Sequence, residues 1–293
     1  MNRKAFILLS YLIIVTVAEV IITYQSIILG LCIYAVLLMF LVGYSSLYVL
    51  YKEKLQERIW EKHALFERIF GAYGYDKGID LFKKEMSYTE INEQNFIILL
   101  KCLTLAPLIR ILSVSMPISS LQQIHWYIII NFPLFMVIFL MIKSHQINLN
   151  DIGLRIGKLD IQLSVALTGF VLGIIDFLLL RPSPLIKSLT IETFIVPALI
   201  LLIFTGLSEE LIFRGIIQRS AERVIGNIQG LLFTSILFAS MHIGWKSIED
   251  LVFVFFVGLF YGYIFQKTRC ILGITISHGI TNITMFLLAP FLW

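Results

Sequence analysis

Long apolar runs separated by short polar clusters dominate the chain. A helix that crosses a bilayer needs about 20 mostly apolar residues. Nine runs meet that measure, at about 5–23, 26–50, 95–114, 125–142, 162–180, 193–217, 228–244, 248–266 and 270–292. The third is the weakest, because it carries Lys101, Pro107 and Arg110; placed in the interface instead, it would leave eight spans. The pattern predicts an all-α, polytopic transmembrane bundle of eight or nine spans.

One sizeable polar segment interrupts the runs, at 51–94. Leu55, Ile59, Phe66, Ile69 and Phe70 recur at helical spacing on one face, and Glu53, Lys54, Glu57, Glu61 and Lys62 take the other. Gly71–Asp76 breaks the pattern, a shorter helix is expected around Lys77–Met86, and Ser87–Glu90 fits a capping box. The expectation is a helical hairpin lying on the membrane surface; a docking module for a partner or substrate is the alternative. The chain then divides into an N-terminal transmembrane hairpin (1–50), a cytoplasmic or interfacial amphipathic segment (51–94), two further spans (95–150) and a C-terminal transmembrane core (151–293). No internal repeat or low-complexity tract is visible.

Composition agrees with the pattern. Of 293 residues, 58% are hydrophobic and 14% charged, and the mean hydropathy is +0.89. A soluble domain carries roughly 25% charged and about 45–50% apolar residues. Net charge is +4, too small to suggest nucleic-acid binding. Where the charge lies says more. With the N-terminus in the cytoplasm and alternating spans, 17 of the 23 Lys and Arg residues fall in cytoplasmic segments. Only Arg181, Lys187 and Lys246 lie opposite, and Lys101, Arg110 and Arg214 lie in spans. The positive-inside rule therefore supports nine spans and this orientation. Cys32, Cys102 and Cys270 sit in or beside apolar segments, without metal-like or disulfide-like spacing, and read as small core residues. Arg3 and Lys4 before an apolar stretch resemble a signal peptide, but no convincing small-x-small cleavage site follows, so the first run reads as an uncleaved helix.

Ionisable groups inside such runs cost at least roughly 2.5–3.5 kcal/mol each, so they face a cavity or one another. The C-terminal third holds several: Glu209, Glu210 and Arg214 in the sixth run, His242 ending the seventh, and His278 with Asn282 in the ninth. Glu210 and Arg214 are four residues apart and can pair on one helix face. Glu209 points about 100° away and is left free. His278 and Asn282 also share a face, as do Phe238 and His242. Amide hydrolysis needs an activated water, a proton shuttle and donors for an oxyanion. A glutamate and a histidine can deprotonate water directly or through a shared metal. A second histidine and an asparagine can stabilise the oxyanion. Taken singly, each group also fits a structural clamp or an interhelical hydrogen bond; their joint occurrence in three spans favours chemistry.

The three groups form motifs: EExxxR at Glu209–Arg214, FxxxH at Phe238–His242 and HxxxN at His278–Asn282. Over roughly residues 150–293 the chain resembles the CPBP family, the CAAX proteases and bacteriocin-processing enzymes also called Abi proteins. The resemblance implies an α-helical intramembrane endopeptidase with a cytoplasm-facing cavity. It implies that Glu209 and His242 activate water and that His278 and Asn282 stabilise the oxyanion. Glu210, Arg214 and Phe238 support them. The family is described both as a metalloprotease and as glutamate-dependent; a bound zinc would take Glu209, His242 and His278. The HExxH pair of common zinc proteases is absent from the sequence. The implied partners are the lipid bilayer and a peptide or lipidated protein substrate; with no eukaryotic targeting motif visible, the expected location is a prokaryotic plasma membrane. A proton-coupled transporter and a non-catalytic scaffold or immunity protein are the competing readings. Against a transporter, no inverted repeat is visible.

Depth raises one conflict. Measured from the cytoplasmic end of their runs, Glu209 and His278 lie about 12 Å deep and His242 about 21 Å deep, at roughly 1.5 Å per residue. One site cannot hold all three unless the segment between Arg214 and Phe233 contains a surface helix or a broken turn.

Overall fold

The computed structural model describes residues 3–70, 91–115 and 121–292, and for 51–70 the backbone alone, Arg68 apart. Among the described residues it is all-helical, and nine helices are long and apolar enough to cross a membrane. In chain order they are α1 (Arg3–Tyr24), α2 (Ile27–Phe70), α3 (Ile91–Ser115), α4 (Gln123–Ser144), α5 (Leu159–Leu180), α6 (Ile191–Ile225), α7 (Asn227–Ser240, its span continued by further turns to Trp245), α8 (Ile248–Thr268) and α9 (Leu272–Phe291). The outward faces carry rows of large apolar side chains, such as Ile28, Leu47, Leu163 and Val171. A contiguous apolar exterior of this kind needs lipid to cover it. The chain is an integral membrane protein.

The weak third run forms a spanning helix broken only by a turn at Leu103 and Thr104, so nine helices stand where the sequence left eight or nine. The polar segment differs from expectation at its start. Residues 51–70 do not begin a separate surface helix; they continue α2 for 44 residues in all. The reason lies in the sequence: no Gly or Pro occurs between Tyr44 and Phe70 to stop the helix. The expected break at Gly71–Asp76, the helix at Lys77–Met86 and the capping box at Ser87–Glu90 lie outside the described residues.

Local chemistry sets the ends that matter for the site. Thr190 caps α6 reciprocally with Thr193, and the Ser247 hydroxyl accepts the Asp250 N–H at the start of α8. Between α6 and α7 the chain turns at Gly226, with φ of +88°, a conformation only glycine adopts without strain. The expected extra break before Phe233 is absent, since α7 is helical from Asn227. Glu209 and His242 match in depth because α6 runs on to Ile225, eight residues past the expected end, which puts them 16 residues from the end of α6 and 15 from the start of α7. α7 then ends early, at Ser240. His242, expected inside the span, sits just past the helix end, before a short 3₁₀ turn at Ile243–Trp245.

α9 is the most buried of the nine, with 67% of its apolar window inside the protein. Small residues let its neighbours approach its backbone. A Cβ on Gly169 of α5 would run into the Ser277 carbonyl oxygen, and one on Gly173 would lie 2.6 Å from the Thr281 carbonyl oxygen. Gly206 of α6 meets Thr275 and Gly279 in the same way. α5 and α6 are thereby pressed against the helix that carries His278 and Asn282.

Candidate active site

α6 is not a regular helix where its glutamates lie. It is α-helical over Ile191–Leu201, widens to π-helix over Leu202–Leu207, returns to α-helix for Ser208–Glu210, and is π-helical again over Leu211–Gln218. Such widened turns are rare and concentrate at functional sites. They bring Glu209 and Glu210 into the centre of the bundle from different angles.

Glu210 is fully buried. One oxygen, Oε1, accepts from Arg214 Nη1 at 3.1 Å and from His278 Nδ1 at 2.8 Å. The expected Glu210–Arg214 pair is thus formed, and Glu210 also grips His278. Arg214 is equally buried. Its guanidinium lies 4.4 Å from the Phe238 ring centroid and 5.7 Å from that of Tyr261, and Nη2 reaches the Gly258 carbonyl at 3.4 Å. A planar cation suits an aromatic face, which accounts for Phe238 in the second motif. The other edge of Phe238 packs against His242, with ring centroids 4.7 Å apart.

Glu209 is different. Its side chain is 29% exposed, against 0% for Glu210, and opens on a cavity. Its Oε2 lies 3.9 Å from His278 Nε2, on the ring edge opposite Glu210. One imidazole therefore stands between the two glutamates. His242 Nδ1 lies 2.9 Å from the Phe238 carbonyl oxygen. A carbonyl only accepts, so Nδ1 carries the proton, and Nε2 is the nitrogen left for chemistry. Asn282 Nδ2 donates to Thr205 Oγ1 at 2.8 Å, while that hydroxyl donates to the Leu201 carbonyl. The amide's orientation follows, with a second N–H still free to donate.

A cavity of about 150 Å³ joins these groups: Glu209, Phe238, His242, His278 and Asn282 all line it. Its remaining wall is mostly apolar and aromatic, including Trp245, Phe253, Val257 and Met285. Two acidic residues not singled out by the motifs also line it. Asp176 of α5 and Asp250 of α8 have carboxyls close enough to share a hydrogen bond, and Asp250 lies within electrostatic range of His242. Tyr261 and Thr205 are further unsought members; the Tyr261 hydroxyl meets Ser277 Oγ at 2.9 Å beneath His278. Asp176 and Asp250 carry the same signal that marks Glu209, an acid inside an apolar run.

Among the described residues, no three His, Cys, Asp or Glu side chains converge closely enough to hold a metal ion. Glu209, His242 and His278 are not brought together into such a group, although His278 Nδ1 is held by Glu210 and its Nε2 lies 3.9 Å from Glu209.

Residues 191–284 match the Rce1-like family, described as type II CAAX prenyl endopeptidase Rce1-like. The matched span contains all three motifs and agrees with the CPBP assignment they suggest. It supports a CAAX-type intramembrane endopeptidase in general. No curated protein and no solved structure matches the chain.

Proposed function

We propose that this membrane-embedded protein is a glutamate-dependent endopeptidase that hydrolyses peptide bonds of membrane-associated substrates, either lipidated CAAX-type tails or precursors of secreted peptides. We place it in a prokaryotic plasma membrane with a cytoplasmic N-terminus. The observation that carries the reading is the division of labour around His278: Nδ1 is held by a buried, arginine-paired glutamate, and Nε2 faces a second glutamate that is open to the cavity.

In the proposed reaction, Glu209 takes a proton from water as the water oxygen attacks the scissile carbonyl carbon. His242 Nε2 accepts the second water hydrogen and fixes the direction of attack. The carbonyl oxygen becomes an oxyanion, and the free Asn282 N–H and the His278 Nε2–H donate to it. Because His278 Nδ1–H is already given to Glu210, Nε2 donates only while the ring is doubly protonated. Collapse breaks the C–N bond, and Glu209 returns its proton to the departing amine. Arg214 holds Glu210 in place, and Phe238 spaces Arg214 from His242.

The test is cleavage of a fluorogenic lipidated peptide and a panel of propeptides by the purified protein and its Glu209→Ala, His242→Ala and His278→Ala variants. Loss of cleavage in all three, with folding intact, is expected. Titration with a chelator, alongside metal analysis, is expected to leave the wild-type rate unchanged. Wild-type protein that cleaves nothing in the panel, or a Glu209 variant with full activity, sinks the mechanism.

A further inference from the structure

His242 sits beyond the end of α7, where a helix leaves its last carbonyls without intrahelical partners. One of them, Met241 O, is the carbonyl of the peptide bond that leads into His242. It accepts from Arg110 Nη2 at 2.6 Å. Arg110 belongs to α3, outside the matched family span, and its Nε donates to Glu19 of α1 at 2.7 Å. Glu19 is fully buried and accepts from the Tyr34 hydroxyl of α2 at 2.5 Å through the same oxygen. Tyr34 also lies 3.9 Å from the Met241 sulfur, and Thr16 of α1 meets Ser240 Oγ at 3.0 Å. Three N-terminal helices thus converge on residues 240–241, immediately before the histidine.

Energetics says this is not ordinary packing. A buried ion pair among membrane helices is no more stabilising than apolar side chains of the same volume, and its best-attested use is to fix one arrangement out of several. The guanidinium suits that use, because its donors lie in one rigid plane: seating Nε on Glu19 sets where Nη2 can hold a carbonyl. A cation at a helix C-terminus is also favoured by the helix dipole.

We propose that Glu19, Tyr34 and Arg110 form a positioning device for His242, with Arg110 holding the Met241 carbonyl and so setting the peptide that carries the imidazole. The N-terminal helices then serve catalysis as well as insertion. This rests on the protease reading only for the step at which His242 acts on water; the placement of the ring stands apart from it.

The experiment uses the full chain in detergent or nanodiscs, as wild type, Arg110→Gln and Tyr34→Phe. Three quantities are read: thermal stability, kcat and KM on any cleaved peptide, and the rate at which diethyl pyrocarbonate modifies His242, followed by mass spectrometry. Folded Arg110→Gln is expected to lose about 10–100-fold in kcat with KM within about twofold, since displacement of a catalytic group by about 1 Å costs that order of rate. Its His242 modification rate is expected to change at least about threefold, and Tyr34→Phe is expected to shift both readouts in the same direction by less. A folded Arg110→Gln protein with wild-type kcat and wild-type His242 modification overturns the proposal, as does a loss confined to thermal stability. If Arg110→Gln does not fold, Tyr34→Phe decides by the same two readouts. If wild type cleaves no peptide, the protease reading fails, and the His242 modification rate alone decides the positioning role.

Discussion

At the scale of single residues, two adjacent glutamates do opposite work. Glu210 is spent on Arg214 and His278, while Glu209 faces the cavity. Glu209→Gln is therefore expected to lower kcat by about 10²–10⁴-fold, the usual worth of a general base, with an unchanged melting curve. Arg214→Ala strands a buried carboxylate and is expected to cost about 3–5 kcal/mol of stability, seen first as a lower melting temperature. If the Glu209 variant fails to fold while the Arg214 variant cleaves normally, the two roles are reversed. His278 makes a second prediction. Because its Nε2 donates only while doubly protonated, cleavage should fall on the alkaline side as well as on the acid side, where Glu209 is protonated. His278→Asn keeps a donor that does not titrate, so a pH–rate profile should retain the acid limb and lose the alkaline one, at about 10²–10³-fold lower rate. An unaltered alkaline limb in that variant removes His278 from the oxyanion role. The motif residues were legible because each motif closes within six residues. Asp176, Asp250 and Glu19 were legible by the same rule of acids in apolar runs, but they belong to no short motif. The His278–Glu210 contact, across 68 positions, leaves no local trace at all.

At the scale of helices, apolar run lengths located all nine elements, because a bilayer demands length and hydropathy together. The finer features escaped. The π-helical turns of α6 depend on how its neighbours pack, and nothing in Leu202–Gln218 announces them. The conflict of depths between Glu209 and His242 came from ending the sixth run at 217; α6 continues to Ile225, and that removes it. The Gly169 crossing gives a prediction of its own. A methyl group there meets the Ser277 backbone, which cannot step aside without moving the neighbouring His278. Gly169→Ala should destabilise by about 1–3 kcal/mol, as overpacking does, and lower kcat in the folded fraction. A variant with unchanged melting temperature and kcat would falsify the view that this crossing sets the place of α9.

At the scale of the whole molecule, charge distribution sets the expected topology. Seventeen of 23 basic residues lie in segments assigned to one side of the membrane. Reporter fusions after Phe70 and after Ser144 should both read as cytoplasmic, and a fusion after Lys187 as external. An external reading at either of the first two positions inverts the topology.

α2 has a last consequence, for those who would image the protein. A helix of 44 residues is about 66 Å long, and the bilayer's apolar core is about 30 Å thick. A compact membrane bundle without soluble domains offers little for particle alignment in electron microscopy. Here one helix already extends well past the bundle, with backbone hydrogen bonding unbroken to Phe70. A soluble helical protein joined in phase with that rod gains a rigid mount, on a helix whose membrane half packs beside the arm that holds His242.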